Sequence, residues 1–372
     1  MSELLFSSRK SRKSNRYILG VRQILYSRSE IELLKLGGWC KDLPLCSTEY
    51  LPEKDVQTLI QQGLLRQNEG GNCFRTTKSG YNLLETIGYH YHRDSKSRSN
   101  GKTLERRLQS AEIILFIYRL GADVFLEHPF WEGNLPAYLP AFSLRRQDKS
   151  NLLSSTRLTG FLYTENKVYV PYYITFNNTG IYPMSEQRMI TSSYLCNSKP
   201  GVAVYTGQKE LALLLQAAQS FDKFGGSKAV DYWTAMQKFS CPVCFVPLSE
   251  DGLRQLRMMT VPDYKEKLCK YLLGGRYQAS DNRWHDGIDG KTGERYQIGI
   301  DFNLKDFDKG LPKHLIVLDF QQKSAQEVLS GKDIVLHSIS TEAAEQVLEL
   351  PHNLPELTNE PYRTEKGECV VV

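Results

Sequence analysis

The stretch from Gly63 to Leu84 leaves the chain few ways to fold. It opens with Gly63-Leu64-Leu65-Arg66, turns through Asn68-Glu69-Gly70-Gly71-Asn72, returns as Cys73-Phe74-Arg75-Thr76 and enters Thr77-Lys78-Ser79-Gly80-Tyr81-Asn82-Leu83-Leu84. Glycine and asparagine tolerate the positive φ of a tight reversal, so two short runs around such a turn predict a β-hairpin. A threonine ahead of an apolar run can accept a free amide hydrogen bond and start a helix. Strand, turn, strand and helix are therefore expected in direct succession.

The residues upstream complete a pattern. Ser29 is placed to cap a helix bearing Ile31, Leu33, Leu34 and Leu36, with Gly37-Gly38 expected to stop it. Pro52 suits the first position of a second helix, on which Val56, Leu59 and Ile60 fall at helical spacing and Gly63 ends the run. This order over Ser29–Tyr89 is that of a winged helix-turn-helix. In that geometry the Pro52–Gln62 helix enters the major groove of a DNA duplex, with Glu53, Lys54, Gln57, Thr58 and Gln61 on its wet face and Arg66, Arg75 and Lys78 beside it. Cations on phosphates supply affinity, whereas Gln and Thr can reach base edges. A winged helix that makes only protein contacts is the alternative.

A basic stretch follows, His90–Arg107, holding Arg93, Lys96, Arg98, Lys102, Arg106 and Arg107 among serines. It reads equally as a hinge or as a segment lying along a phosphate backbone. The expected DNA contacts are thus Lys54, Gln57, Thr58, Gln61, Arg66, Arg75, Lys78, Arg93, Lys96, Arg98 and Lys102. From Leu104, apolar residues at Leu108, Ile113, Ile114, Ile117 and Leu120 predict a long connecting helix that ends at Gly121.

Charge alone decides little, because 47 basic residues stand against 42 acidic ones in a chain of 372. Its 41% hydrophobic content is enough for real cores. Met1–Arg16 carries Arg9, Lys10, Arg12, Lys13 and Arg16 without the apolar centre of a signal peptide, and no stretch has the length and apolarity of a membrane span. A cytoplasmic protein without membrane contact is expected. Its eight cysteines then read as reduced thiols.

Beyond Ala122 strands and helices alternate. Strands are expected at Val124–Leu126, Leu158–Tyr163, Val168–Ile174, Val202–Tyr205, Val243–Pro247, His314–Asp319 and Asp333–His337. Helices are expected at Ser185–Leu195, Lys209–Gln219, Glu250–Met259, from Ser324, and at Thr341–Leu350. Arg276–Gly299 reads as an extended hairpin or exposed loop. The fold class is α+β joined to α/β: a winged helix-turn-helix plus an α/β domain with a mixed sheet. The expected division is a basic arm at 1–17, the winged helix at 18–92, a linker and connecting helix at 93–121, the α/β domain at 122–350 and a loose tail at 351–372.

Gly63-Leu64-Leu65-Arg66, Thr77-Lys78-Ser79-Gly80, the helical connector and a core carrying Ser155-Thr156-Arg157-Leu158-Thr159-Gly160-Phe161-Leu162-Tyr163-Thr164 together resemble the replication-relaxation family. These are winged-helix proteins of plasmids, phages and integrative conjugative elements. The resemblance implies a DNA-binding accessory role in plasmid replication or relaxosome processing, and it implies that the second half is a restriction-endonuclease-like domain. A relaxase or replication initiator is the implied protein partner, and a homodimer is compatible with it.

Nucleases of that fold hold a metal with one Asp and an Asp/Glu-x-Lys on the next strand. Here Arg157-Leu158-Thr159-Gly160 stands where the first acid would fall, and Tyr169-Val170-Pro171-Tyr172-Tyr173-Ile174-Thr175 contains no Asp/Glu-x-Lys. Glu186 and Asp319 are the acids left near such a core. The domain is read as non-catalytic, with no cofactor and no metal. A metal-dependent nuclease with migrated acids and a transcriptional regulator with a sensing domain are the alternatives.

Other motifs carry less. Cys241-Pro242-Val243-Cys244 lacks a second ligand pair and reads as buried thiols at a strand start. His90 and His92 have no third ligand. Trp284–Lys291 lacks the carboxylate spacing of a calcium loop and reads as a hairpin turn. Cys369-Val370-Val371-Val372 has the form of a prenylation box, but nothing polybasic precedes it.

Overall fold

Ser27 starts the first helix, α1 (Arg28–Cys40), through a reciprocal cap in which its hydroxyl accepts from the Glu30 amide while Glu30 accepts from the Ser27 amide. The computed structural model describes residues 25–91, 101–129, 133–147, 153, 156–175, 183–219, 232–237, 239, 241–281, 284–304, 314–351 and 357–363. The expected cap, Ser29, lies instead inside the first turn, buried, with its hydroxyl donating to the Asp55 carboxylate.

Nor do Gly37 and Gly38 end the helix, which runs through them to Cys40. A Cβ on Gly37 would sit 2.8 Å from Thr76 Oγ1 and one on Gly38 would sit 2.6 Å from the Tyr91 ring. These glycines are missing side chains, there so that a sheet and an aromatic ring can reach the helix backbone.

After α1 come β1 (Leu43–Pro44), α2 (Ser47–Tyr50), α3 (Glu53–Gln61), β2 (Leu65–Gln67), β3 (Cys73–Thr76) and α4 (Lys78–Thr86). The three strands form an antiparallel sheet in the order β1-β3-β2. Gly63, with φ at +69°, ends α3 as expected, and Gly71 at +70° shapes the hairpin turn. Thr77 caps α4 by accepting from the Gly80 amide and donates to the Gly63 carbonyl, tying the start of α4 to the end of α3.

Helix α5 (Lys102–Arg119) follows, and it packs against α1, α2 and β1 as well as elements of the α/β part. Val124-Phe125-Leu126, expected as a strand, pairs with nothing; Asp123 alone bridges to Ala137. Its apolar residues serve packing: Val124 and Leu126 are buried, and Phe125 meets the Trp39 ring edge-on at 6.0 Å.

The remainder holds two five-stranded sheets with the same wiring. In one, β4 (Ala137–Pro140), β5 (Gly160–Tyr163) and β6 (Val168–Tyr173) run antiparallel in sequence, and β7 (Gly201–Thr206) and β8 (Val243–Phe245) add parallel to β6. Helices α6 (Ala141–Gln147), α7 (Pro183–Ile190), α8 (Leu211–Gln219) and α9 (Tyr232–Gln237) lie between these strands, and α10 (Glu250–Thr260) follows them.

In the other, introduced by α11 (Tyr264–Leu273), the antiparallel strands are β9 (Tyr277–Gln278), β10 (Gly287–Asp289) and β11 (Arg295–Ile298). Strands β12 (His314–Leu318) and β13 (Val335–Ile339) add parallel, with α12 (Gln322–Val328) between them and α13 (Thr341–Val347) after them. The described residues thus make a mixed α/β structure of thirteen α-helices and three sheets.

Alternation along the strands buries both faces. Val202 and Val204 point into one apolar layer, Ala203 and Tyr205 into another, and Ile316 and Leu318 against Leu315 and Val317 divide the same way. Two glutamines lock the junction of the sheets. Gln255 Nε2 donates to the carbonyls of Phe245 (2.8 Å) and Ile300 (2.7 Å), and Gln321 Nε2 donates to Ile300 as well (2.8 Å).

The expectation of a loose tail fails for Leu357–Arg363. Arg28 and Ser29 donate their amides to the carbonyls of Glu360 (2.7 Å) and Thr358 (3.1 Å), so this segment satisfies free donors of the first turn of α1. Tyr362 donates its amide to the Tyr26 carbonyl (2.9 Å), and its hydroxyl hydrogen-bonds to that of Tyr89 (3.1 Å). Among the described residues no helix is long and apolar enough to cross a membrane.

Replacing Gln255 by Leu strips two buried carbonyls of a donor, and each such loss costs about 1–3 kcal/mol less one partner's repair by Gln321. The expected result is a loss of about 2 kcal/mol in a denaturant titration; an unchanged midpoint would contradict the bridging role.

Candidate nucleic-acid interface

Helix α3 is held by one face and open on the other. Asp55, Val56 and Leu59 are buried, Asp55 taking the Ser29 hydroxyl. Lys54, Gln57, Thr58 and Gln61 fall at i, i+3, i+4 and i+7, one stripe turned to the opposite side. Lys54, Gln57 and Gln61 are exposed and Thr58 is half-buried, its hydroxyl donating to the Lys54 carbonyl at 2.9 Å. Four of the expected contact residues are therefore brought together. With Glu53 and Asp55 in its first turn, α3 is not itself cationic. Positive charge has to come from its neighbours.

The three-stranded sheet supplies it. Arg66 and Arg75 are direct partners across β2 and β3, which puts both guanidiniums on one face. That face is the one away from α1, because Leu65 and Thr76, the next pair, turn toward Gly37. Arg75 Nε donates to Asp42 Oδ1 at 2.5 Å, and Arg107 Nη1 of α5 reaches Asp42 Oδ2 at 3.4 Å. The Asp42 side chain is only 3% exposed, while Arg75 and Arg107 keep 24% and 28%. One buried carboxylate thus aims two guanidiniums outward and joins the hairpin to α5.

Lys78, at the start of α4, and Lys102, at the start of α5, are exposed. Arg93, Lys96 and Arg98 lie outside the described residues. Asp42 was not legible in the sequence as part of the site, since its partners are 33 and 65 residues away. The hairpin turn is pinned by Asn68, whose Oδ1 accepts from the amides of Asn72 (2.8 Å) and Cys73 (3.1 Å).

Elsewhere the structure engages the acids singled out in sequence. Glu186 is fully buried and accepts the Arg157 amide at 3.0 Å; Asp319 accepts from the Phe320 amide and the Thr341 hydroxyl. The two are held by different sheets and different neighbours. Cys241 and Cys244 are buried, and among the described residues no group of three or more His, Cys, Asp or Glu is arranged to hold a metal ion.

Trp284–Lys291, expected as a hairpin turn, instead carries strand β10, with the turn to β11 at 290–292, and Asp286 faces a cleft of about 300 Å³. Burial raises the Asp286 carboxyl above its ordinary value against the pull of Lys265. Lys265 itself pairs with Asp301 at 2.9 Å, and Tyr264 donates to the same carboxylate at 3.0 Å. Asp263, Glu266 and Asp286 line the cleft against Lys167 and Lys265, so its charge does not favour a phosphate backbone.

Comparison with protein-family models, with curated proteins and with solved structures finds no match to this chain.

Asp42→Asn removes the charge that both guanidiniums share. Each arginine keeps about a quarter of its surface in water, so the cost is nearer that of a charged hydrogen bond, about 1.5–3 kcal/mol, than that of a fully buried pair. Denaturant unfolding should show that loss; equal stability of the variant would mean the carboxylate does not organise the face.

Proposed function

We propose that residues 25–91 form a winged helix-turn-helix that binds double-stranded DNA, with α3 in the major groove and the β2–β3 hairpin as the wing. The observation that carries this reading is the open stripe of Lys54, Gln57, Thr58 and Gln61 on a helix whose opposite face is locked. Amide side chains on a rigid helix suit bidentate recognition of adenine, and a flanking lysine suits guanine or phosphate. The cross-strand pair Arg66 and Arg75, with Lys78 exposed at the start of α4 and Lys102 at the start of α5, adds phosphate contacts to that of Lys54 in this reading.

With the resemblance to replication-relaxation proteins, the role proposed is that of an accessory protein that marks an origin or transfer site on a mobile element. A relaxase or replication initiator is the proposed partner, and a second copy of the chain could occupy a neighbouring half-site. The α/β part is read as a contact module rather than an enzyme, on the ground that Glu186 and Asp319 are each committed to structural hydrogen bonds in separate places.

The test is fluorescence anisotropy with the host element's origin fragments at low salt. Gln57→Ala should weaken binding to the preferred site about tenfold while leaving non-specific binding and the salt slope unchanged. Lys54→Ala should weaken both and reduce the slope by about one unit if it neutralises a phosphate. Absence of duplex binding, or binding indifferent to both changes, would remove this reading.

A further inference from the structure

The edge of a β-sheet is where main-chain hydrogen bonds are left to give. In the first five-stranded sheet the chain meets both edges itself. Asp123 donates its amide to Pro136 (3.2 Å) and accepts that of Tyr138 (2.6 Å) beside β4, and the Asp301 carbonyl accepts the Phe245 amide of β8 (3.2 Å). In the second sheet β13 is the edge strand, held in unbroken parallel register to β12 on one side. Its other side makes no main-chain hydrogen bond among the described residues. Helix α12 packs on β12 and β13, and α13 packs on α10 and α11, so both lie over the faces of the sheet and leave this edge open.

Nothing guards the edge. Proteins blunt an open strand with proline, charge or a bulge, yet Ile334 to Thr341 holds no Pro, Asp, Glu, Lys or Arg, and Val335–Ile339 pairs with β12 without a bulge. Val335 is 43% exposed, high for an aliphatic residue in a strand, and Ser338 is exposed as well. Alternate residues of the strand turn amide and carbonyl outward, where they remain available to a further strand.

The order of side chains selects the occupant. An antiparallel copy centred on His337 sets Val335 against Ile339 of the second copy and Leu336 against Ser338 of the second copy. An exposed aliphatic then covers an aliphatic, and a large side chain meets a small one. His337 falls on the two-fold axis, its Nε2 engaged with His314 Nδ1 at 2.8 Å. Burial and the neighbouring His314 lower the His337 pKa, so uncharged rings meet there at neutral pH. Pairing about a two-fold axis uses the same edge on both copies and stops at two, whereas head-to-tail addition would continue.

We propose that β13 pairs with β13 of a second copy, antiparallel about His337, so that the two five-stranded sheets join into one continuous sheet across a closed homodimer. The pairing does not depend on duplex binding.

Sedimentation velocity over a concentration series, without DNA, should show a monomer–dimer equilibrium that goes no further than dimer. Val335→Lys with Ser338→Lys places like charges along both edges and should shift the protein to monomer throughout the series. Val335→Ile with Ser338→Thr keeps strand-forming side chains and should keep the dimer. If circular dichroism shows that the paired lysine variant is unfolded, Ser338→Lys alone, at an exposed position, serves in its place and should also give monomer. Amide exchange in the peptide holding Val335–Ile339 should slow as the dimer fills. Monomer at every concentration, a dimer indifferent to lysine, growth beyond dimer, or exchange at β13 that ignores concentration would overturn the pairing.

Discussion

Five successive residues of α5, Ile113 to Ile117, are buried, and a helix buried all round at one level must have partners on every side. Those partners come from both halves of the chain. Helices α1 and α2 and strand β1 meet α5 from the N-terminal part, and β4, β6 and α10 meet it from the α/β part. The shared apolar layer extends from Tyr26 through α5 to Ile339 and Leu348. Each buried aliphatic side chain contributes about 1.5–3 kcal/mol, so separating the halves would expose a surface neither could leave in water. The Leu357–Arg363 segment returns to α1 and adds main-chain hydrogen bonds between the same two parts.

This shared helix determines where charge can act. Its apolar middle fixes the orientation of its first turns, and Arg107 therefore stands at a set place beside the small sheet. Asp42 turns that placement into a joint, because the same carboxylate holds an arginine of the hairpin. The division of labour on the N-terminal part follows. On the proposed DNA-binding reading, helix α3 offers amides, a hydroxyl and one lysine for discrimination, and the arginines of the hairpin would supply attraction that falls with salt.

Local chemistry made most elements legible in the sequence. The hairpin, the Thr77 cap and the end of α3 at Gly63 depend on residues a few positions apart, and they fall where turn and capping rules put them. Most strands of the α/β part were legible as short, nearly continuous apolar runs between turn residues. What escaped was whatever a distant partner decides. Gly37 and Gly38 look like a helix stop, yet Thr76 and Tyr91 explain them; Val124–Leu126 looks like a strand, yet its neighbours want its side chains rather than its amides. Strand β1 and α2 were hidden in a stretch of turn residues, and β4 had no periodic signal to betray it. The site divided in the same manner: the α3 stripe could be read from spacing, but Asp42 and its long-range arginines could not.

Covalent footprinting of lysines, with and without an origin duplex, addresses the proposed interface most directly. Lys54 is exposed on α3 and Lys78 at the start of α4, which Thr77 ties to the end of α3, whereas Lys270 and Lys323 are exposed on helices α11 and α12 of the α/β part. Duplex should shield the first two from an amine-reactive label and leave the last two as reactive as before. Unchanged labelling at Lys54 and Lys78 in a complex saturated with DNA, or shielding confined to Lys270 and Lys323, would contradict a duplex seated on α3 and its hairpin.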